Sequence, residues 1–157
     1  MVLAEGDEPA LLLVKRRERT GDPWSGHVAM PGGFSKGEVS ADTAARETME
    51  ETGLDIARNG RQIGYLDDVY PRSVHLPRVI VTPVVFTVPQ LFPVAASVEV
   101  ERALWVPVSE LRDPANRDLM ELERGGVRVQ FPCINVHGLT IWGLTERMIT
   151  QLLSIAG

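Results

Sequence analysis

The segment that decides the fold is residues 32–54, which read GGFSKGEVSADTAARETMEETGL. Ser40 is placed to cap a helix that runs to about Thr52, and Gly53 supplies the usual C-terminal stop. Because consecutive helical residues are about 100° apart, three glutamates of this segment fall within an arc of roughly 100°. These glutamates are Glu47, Glu50 and Glu51. The sequence therefore predicts a helix with one strongly acidic face.

The two faces of this helix have different chemistry. The side opposite the glutamates carries small and apolar residues that we expect to press against a sheet. They are Ala41, Ala45, Thr48, Met49 and Thr52. On the acidic side, Glu47 and Glu51 are four residues apart, so their charges repel and destabilise an isolated helix. Clustered carboxylate oxygens are what hard cations such as Mg²⁺ or Mn²⁺ require, and a solvated acidic surface is the alternative interpretation.

Length, composition and charge limit the class of protein. The chain has 157 residues, of which 44% are hydrophobic and 24% charged, as expected for one globular domain. A formal net charge of −5 argues against a protein that binds duplex nucleic acid. The single cysteine, Cys133, excludes an internal disulfide and suits a reducing compartment. With no bilayer-length apolar run and no signal-peptide pattern, we expect one soluble, cytoplasmic domain over residues 1–157.

The hydrophobic pattern around the acidic helix predicts short strands separated by turns. The predicted strands are residues 11–14, 28–30, 62–69, 79–88, 103–106 and 127–131. Turns or loops are predicted at residues 18–26 and 71–77, and either a turn or a helical start at 107–111. Residues 141–155 have apolar positions at helical spacing and are predicted as a second, amphipathic helix. Because strands are interleaved with two well-separated helices, we expect an α/β fold in which a mixed sheet lies between helices.

The residues of the acidic segment resemble the signature of the Nudix hydrolase family. That signature is a glycine, five residues, a glutamate, seven residues and then R-E-U-x-E-E-x-G-U, where U is a bulky aliphatic residue. This sequence supplies Gly32, Glu38, Arg46, Glu47, Glu50, Glu51, Gly53 and Leu54 in that register. Thr48 departs from it at the first aliphatic position. The resemblance implies a Nudix-type α/β/α sandwich with a mixed β-sheet between helices, and Mg²⁺ or Mn²⁺ as the cofactor.

The resemblance also implies roles for the acidic residues. The glutamates that match Glu47 and Glu51 are the usual metal ligands of the family, and Glu50 contributes through a further ion or a water. Glu99 matches a loop glutamate that some members use as the general base, with Glu101 as the fallback in this sequence. In other members a glutamate of the signature takes the proton, so Glu50 also remains a candidate base.

The other residues of the signature are expected to support the carboxylates. Glu38 lies before the helix, where it can pair with Arg46 and make that arginine an organiser of the acidic face. Gly32 and Gly33 allow the backbone to turn tightly and to come close to a metal ion or a phosphate. Both glycines are therefore candidate substrate-binding residues.

Matches extend beyond the signature, from about residue 11 to residue 155. Four stretches resemble the coenzyme A pyrophosphatase branch of the family: residues 11–17, 25–33, 99–108 and 141–145. Arg17 fits the first arginine of that branch and is a candidate phosphate ligand, because an arginine fork suits phosphate. Glu18 stands where the branch has serine, and Asp22 where it has a second arginine, so the match is incomplete at the loop.

Taken together, the resemblance implies a metal-dependent hydrolase that cleaves the pyrophosphate bond of a nucleoside diphosphate linked to another moiety. Coenzyme A-like and ADP-ribose-like substrates are both expected, with specificity in the loops at residues 18–26 and 71–78. A Nudix-fold nucleotide-binding regulatory module without hydrolysis is the alternative, although the intact acidic set argues against it. A third possibility is the related isomerase chemistry on isoprenoid diphosphates, but this sequence has no cysteine near the signature to support it. The expected partner is a small nucleoside diphosphate derivative, without nucleic acid or membrane, and family habit leaves a homodimer open.

Overall fold

The computed structural model of the protein describes residues 1–72 and 76–156. Over these ranges the chain forms nine strands and four α-helices. The strands are β1 (Val2–Ala4), β2 (Ala10–Arg16), β3 (Val28–Ala29), β4 (Arg61–Tyr65), β5 (Val84–Val88), β6 (Val100–Pro107), β7 (Arg117–Arg124), β8 (Val127–Val136) and β9 (Leu139–Trp142). The helices are α1 (Ser40–Thr52), α2 (Ile56–Asn59), α3 (Val108–Arg112) and α4 (Gly143–Ile155), and a short 3₁₀ helix spans Pro114–Asn116.

The strands form two sheets. The larger sheet has the order β3-β2-β1-β5-β4. Strand β6 pairs with the edge of β2 that β1 and β3 leave open. β1 runs parallel to β5 and antiparallel to β2, so this sheet is mixed, as predicted. The smaller sheet has the order β7-β8-β9 and is antiparallel throughout. It was not predicted as a separate sheet.

The α/β sandwich follows from the side-chain alternation of the central strand β2. Leu11 and Leu13 point to one face, where they pack in a cluster with residues of α3, α4, β8 and β9. Leu12 points to the other face and packs with Leu54 and Ile56, which flank α1 and begin α2. Because both faces are covered, this strand is apolar on every position from Ala10 to Val14. The predicted layers, a mixed sheet between helices, are confirmed.

Helix α1 has the predicted bounds, but its ends and its packing side differ in detail. The prediction that Ser40 caps the helix is wrong, because Val39 is the cap residue and no side chain bonds there. Gly53 ends the helix as predicted, with a left-handed φ of 72° and its N–H bonded to the Met49 carbonyl. The Met49 side chain is 52% exposed and does not press against the sheet, whereas Thr48 is buried.

Two predicted segments are longer than the elements that form. The strand expected at residues 62–69 ends at Tyr65, and the one expected at 79–88 begins at Val84. Pro83 has no N–H to donate to a ladder, and its carbonyl instead accepts from Leu66. Between them only a single bridge joins Val69 and Val81 within the described residues.

The C-terminal part of the chain also differs from the expectation. The predicted helix 141–155 begins at Gly143, because residues 141 and 142 complete strand β9. Strands β7 and β9 were not predicted, and the strand expected at 127–131 continues to Val136. The predicted loop 71–77 includes residues 73–75, which lie outside the described residues. Within the described ranges, every helix is too short or too polar to cross a membrane.

Candidate active site

Arg46 is the centre of the acidic face of α1. Its Nε and Nη2 donate to Glu38 Oε1 at 3.0 and 2.7 Å, which is the pairing that the sequence predicted. Its Nη1 donates to Glu47 Oε1 at 2.6 Å and to Glu50 Oε2 at 3.2 Å. Nη2 also donates to the Phe34 carbonyl at 3.1 Å. One guanidinium therefore joins the loop before the helix to two of the three helical glutamates.

The charges of this network stabilise one another. The hydrogen bonds from Arg46 are the main reason that the pKa of Glu38 falls to about 2, and the Lys36 N–H, 2.7 Å from Oε2, lowers it further. In return, the hydrogen bonds to Glu38 and then to Glu47 raise the pKa of Arg46. Both partners are thus ionised at any ordinary pH, and the loop stays attached to the helix.

Glu51 is the buried member of the set. It is 5% exposed, and the Gly32 N–H donates to its Oε2 at 3.1 Å. Burial raises the pKa of Glu51 to about 7; the Gly32 bond and the charge of Arg16 lower it, whereas the charges of Glu47 and Glu99 raise it. The carboxylates of Glu47 and Glu99 are thus near enough to Glu51 to repel its charge.

The two glycines before the helix lie against carboxylates. A Cβ on Gly33 would be 2.5 Å from the carboxyl carbon of Glu47 and 2.7 Å from its Oε2. Only glycine allows the backbone to pass this side chain without displacing it. Gly32 contributes its N–H to Glu51 instead, and a Cβ there would meet only the Met30 carbonyl at 3.9 Å. The close approach that the sequence predicted is therefore to the glutamates themselves, and a contact to substrate stays a prediction.

Glu99 reaches the same site from the start of β6. Its N–H donates to Ser97 Oγ at 3.2 Å, and its exposed carboxylate accepts from Arg19 Nη1 at 3.4 Å. Glu101, the fallback base, is bound to Lys15 at 3.2 Å and falls where the β2–β6 register shifts. The charge of Glu99 thus acts on Glu51, whereas Glu101 is paired with a lysine.

Arg17 contacts the main chain of the segment that carries Glu99. Its Nε donates to the Val98 carbonyl at 3.1 Å and its Nη2 to the Val100 carbonyl at 3.4 Å. The sequence predicted a phosphate ligand here. That role stays a prediction, and the bonds that the structure places on this guanidinium are to backbone carbonyls.

Arg16 is a site residue that the sequence analysis did not select. Its Nη2 donates to Asp22 Oδ2 at 2.6 Å, and its charge acts on Glu51. Burial raises the pKa of Asp22, but the bonds from Arg16 and the Trp24 N–H outweigh it, so that the pKa is lowered overall. The alternation of side chains along β2 could have identified Arg16. Leu12 and Arg16 share one face of the strand, and Leu12 packs toward α1 and α2.

The donor set fits a hard divalent cation by its chemistry. Glu47, Glu50, Glu51 and Glu99 supply carboxylate oxygens, and the buried charge of Glu51 faces two like charges that a cation would offset. As the side chains are placed, no group of three or more acidic, histidine or cysteine residues in the described ranges converges on one ion position. Glu47 and Glu50 are instead drawn together by Arg46. Occupation of the site therefore requires these carboxylates to rearrange.

Comparison with known proteins places the chain in a family. A family model described as the NUDIX domain matches residues 1–124. An uncharacterized protein of Schizosaccharomyces pombe is 31% identical over 121 residues, which are 73% of this chain and 37% of that protein. The chain therefore spans about a third of the length of that relative. The uncharacterized Nudix hydrolase NudL of Photorhabdus laumondii is 32% identical over 150 residues, which are 92% of this chain and 76% of NudL.

Two solved structures with the same fold come from proteins with different descriptions. A binary complex of a C. elegans Ap4A hydrolase superposes with a TM-score of 0.56 at 17% identity, over 69% of this chain and 77% of that one. The NUDIX domain of Shewanella oneidensis NrtR, complexed with ADP ribose, gives a TM-score of 0.51 at 21% identity over 70% of each chain. These likenesses concern the fold. The family match over residues 1–124 and the relation to NudL show that the chain belongs to the Nudix family.

Proposed function

We propose that the chain is a divalent-metal-dependent hydrolase that cleaves the pyrophosphate bond of a nucleoside diphosphate linked to another moiety. The observation that carries the proposal is the buried carboxylate of Glu51, which faces the charges of Glu47 and Glu99. Like charges gathered around a buried carboxylate are costly unless a ligand uses them. Arg46 holds Glu47 in this arrangement, with a 2.6 Å bond.

In this proposal Glu47 and Glu51 hold Mg²⁺ or Mn²⁺, with Glu50 contributing to a further ion or a water. When bound, the ion neutralises charge on the pyrophosphate oxygens and favours ionisation of the attacking water. The water oxygen bonds to one phosphorus as the bridging P–O bond breaks, so that two phosphate monoesters leave. Glu99 accepts the proton of that water. Glu38 and Arg46 take no part in the proton transfer. Their role is to keep the helical carboxylates in place.

Glu99 is favoured over Glu50 as the base by the contacts of the two side chains. Glu50 Oε2 accepts from Arg46 at 3.2 Å, and its Oε1 lies 4.0 Å from Lys36 Nζ. Two cations therefore compete for its lone pairs. Glu99 is 60% exposed and has the exposed Arg19 at 3.4 Å, which is a weak contact. Its oxygens are thus the more available to a water.

For the substrate, we propose a coenzyme A-like or ADP-ribose-like molecule. The resemblance of residues 11–33 to the coenzyme A pyrophosphatase branch supports the first, and the ADP ribose bound by the NrtR domain supports testing the second. Asp22, which stands where that branch has an arginine, is bonded to Arg16 at 2.6 Å. Its charge is therefore offset by a neighbour rather than turned to a phosphate.

The test is a panel of coenzyme A, ADP-ribose and Ap4A, each with MgCl₂ or MnCl₂, with the products identified by mass spectrometry. We expect release of phosphate monoesters by the wild type, abolished by EDTA and by Glu51→Gln. Glu121→Gln is the matched control, since Glu121 lies on β7 in the other sheet, where its carboxylate accepts from Gln130 Nε2 at 3.3 Å and lies 3.8 Å from Arg128. Binding of a panel member without any product would favour the non-hydrolytic nucleotide-binding module. Full turnover in Glu51→Gln would contradict the role of Glu51.

Location and assembly are separate parts of the proposal. The cytoplasm is proposed from the single cysteine, which suits a reducing compartment. A homodimer is proposed only from the habit of the family. Sedimentation of the purified chain at several concentrations decides between a dimer and a monomer.

A further inference from the structure

Arg17 holds the backbone of residues 98–100 with three bonds. Its own N–H donates to the Glu99 carbonyl at 3.0 Å. Its side-chain Nε and Nη2 donate to the carbonyls of Val98 and Val100, at 3.1 and 3.4 Å. Three consecutive carbonyls are therefore bound by one residue, and the middle one belongs to Glu99.

These bonds lie where the sheet stops supporting the chain. The last ladder pair between β2 and β6 is Arg16 with Val100, and the register is already irregular between Lys15 and Arg16. Glu99 is thus one residue beyond the regular hydrogen bonds of the strand. The backbone there needs other partners, because an unsupported segment regains conformational freedom.

The segment has little packing of its own to hold it. Val98 is 82% exposed, and Glu99 is also exposed. Val100 is fully buried and anchors one end only. The remaining supports are the Ser97 hydroxyl and carbonyl, which accept from the N–H groups of Glu99 and Val100 at 3.2 and 3.3 Å, and the exposed contact of Arg19 with the Glu99 carboxylate at 3.4 Å. The guanidinium of Arg17 thus adds two bonds to the single backbone bond, from the Arg17 N–H, that ties this turn to the end of β2.

We propose that Arg17 is a positioning residue that fixes residues 98–100 and so holds the carboxylate of Glu99 in its place at the acidic site. The proposal rests on the function proposed above for the role of Glu99 as base, whereas the tether itself is independent of that role. A planar guanidinium is required, because Nε and Nη2 reach two carbonyls that flank one residue. A lysine ammonium has no such fork and cannot replace both bonds.

The first test measures the tether without any substrate. Hydrogen–deuterium exchange is followed by mass spectrometry in a peptide spanning residues 97–101, for the wild type, Arg17→Lys and Arg17→Gln. We expect exchange in this peptide to accelerate about tenfold in both variants, since local opening becomes easier. Arg128→Gln is the matched control, because Arg128 is an exposed arginine on β8 in the other sheet. Unchanged exchange in both Arg17 variants would overturn the proposal.

The second test separates positioning from phosphate binding. With whichever panel compound the wild type cleaves, we expect kcat to fall about ten- to hundredfold in both Arg17 variants, because misplacing a reacting group by about 1 Å has effects of that size. KM should change less than about threefold, and Arg17→Lys should not rescue kcat. A raised KM with normal kcat, rescued by lysine, would instead identify a phosphate ligand and overturn the proposal. So would faster exchange with normal kinetics.

Failure of the proposed function is recognised separately. If the wild type cleaves no panel compound, the exchange experiment still decides whether Arg17 tethers residues 98–100. In that case faster exchange in the two Arg17 variants supports the tether, and the role of Glu99 as base is what fails.

Discussion

Replacing Gly33 by alanine is the sharpest perturbation that the structure offers. The added Cβ would lie 2.5 Å from the carboxyl carbon and Oε1 of Glu47. Since ordinary carbon contacts are about 3.5 Å or more, the carboxylate has to move by about 1 Å. It cannot do so and keep its 2.6 Å bond to Arg46 unchanged. The substitution therefore acts on the position of one proposed metal ligand.

The expected effects on activity and on stability differ in size. A displacement of about 1 Å at a reacting centre lowers turnover about hundredfold. The loss of stability should be only about 1–2 kcal/mol, because the group to be displaced is the end of a side chain rather than backbone. For a chain of this length that corresponds to a fall in Tm of about 2–8 °C. Steady-state kinetics with Mg²⁺ titration and thermal unfolding measure the two effects.

The neighbouring glycine and a distant one are the controls. Gly32→Ala should cost much less than Gly33→Ala, because its Cβ would meet only the Met30 carbonyl at 3.9 Å, an ordinary contact. Gly64→Ala on β4 should leave kinetics unchanged, since no described residue other than its two chain neighbours has an atom within 4 Å of the added Cβ. Equal losses in Gly32→Ala and Gly33→Ala, or full activity in Gly33→Ala, would refute the reasoning.

Three further predictions concern stability. Bonds to Arg46 lower the pKa of Glu38 to about 2. The stability that ionised Glu38 adds to the folded state is therefore complete above the unfolded pKa of about 4.5 and is lost as the pH falls through 2. The fall of Tm between pH 4.5 and pH 2 should accordingly be smaller in Glu38→Gln than in the wild type. Thr48→Val should change the free energy of unfolding by less than about 1 kcal/mol, because the buried hydroxyl donates only to the Ala44 carbonyl of the same helix. A larger loss of stability, measured by urea denaturation, would contradict this prediction. Gly53→Ala should destabilise by about 1 kcal/mol in the same experiment, since φ is 72° there, and an unchanged midpoint would show that the helix end relaxes.

Local pattern was sufficient for the elements that the signature and the core determine. The bounds of α1 could be predicted because its residue spacing and Gly53 are local signals. The apolar run of residues 11–14 indicated the centre of β2, although the strand extends from Ala10 to Arg16. The contact between Glu38 and Arg46 was predictable from charge and from their places before and on the helix. These features depend on residues close in sequence.

Features that depend on distant partners were not predictable in this way. Ser40 has the chemistry of a cap, but the backbone places Val39 at that position. Strand β7 is polar on much of its length and pairs only because Gly125 and Gly126, both at positive φ, fold it back onto β8. The glycine pair was a usable hairpin signal.

The site shows the same division. The three helical glutamates were placed by spacing, but the burial of Glu51 depends on a loop 19 residues away, at Gly32. The side chain of Arg17 contacts backbone carbonyls more than 80 residues away. Every residue has a backbone carbonyl, so the sequence does not indicate which ones a distant arginine will bind. Residue type indicated which side chains are candidates for the chemistry, and only the tertiary structure showed what each of them contacts.

The position of β1 has a consequence for how the protein is made. This strand is the middle of the large sheet, between β2 and β5, and the amino group of Met1 bonds to a carbonyl 83 residues further along. During synthesis the apolar edge of β1 stays open until that later strand has left the ribosome. An unpaired apolar edge invites association with other chains. We therefore expect the N-terminal half to associate with other chains more readily before β5 is made than after it.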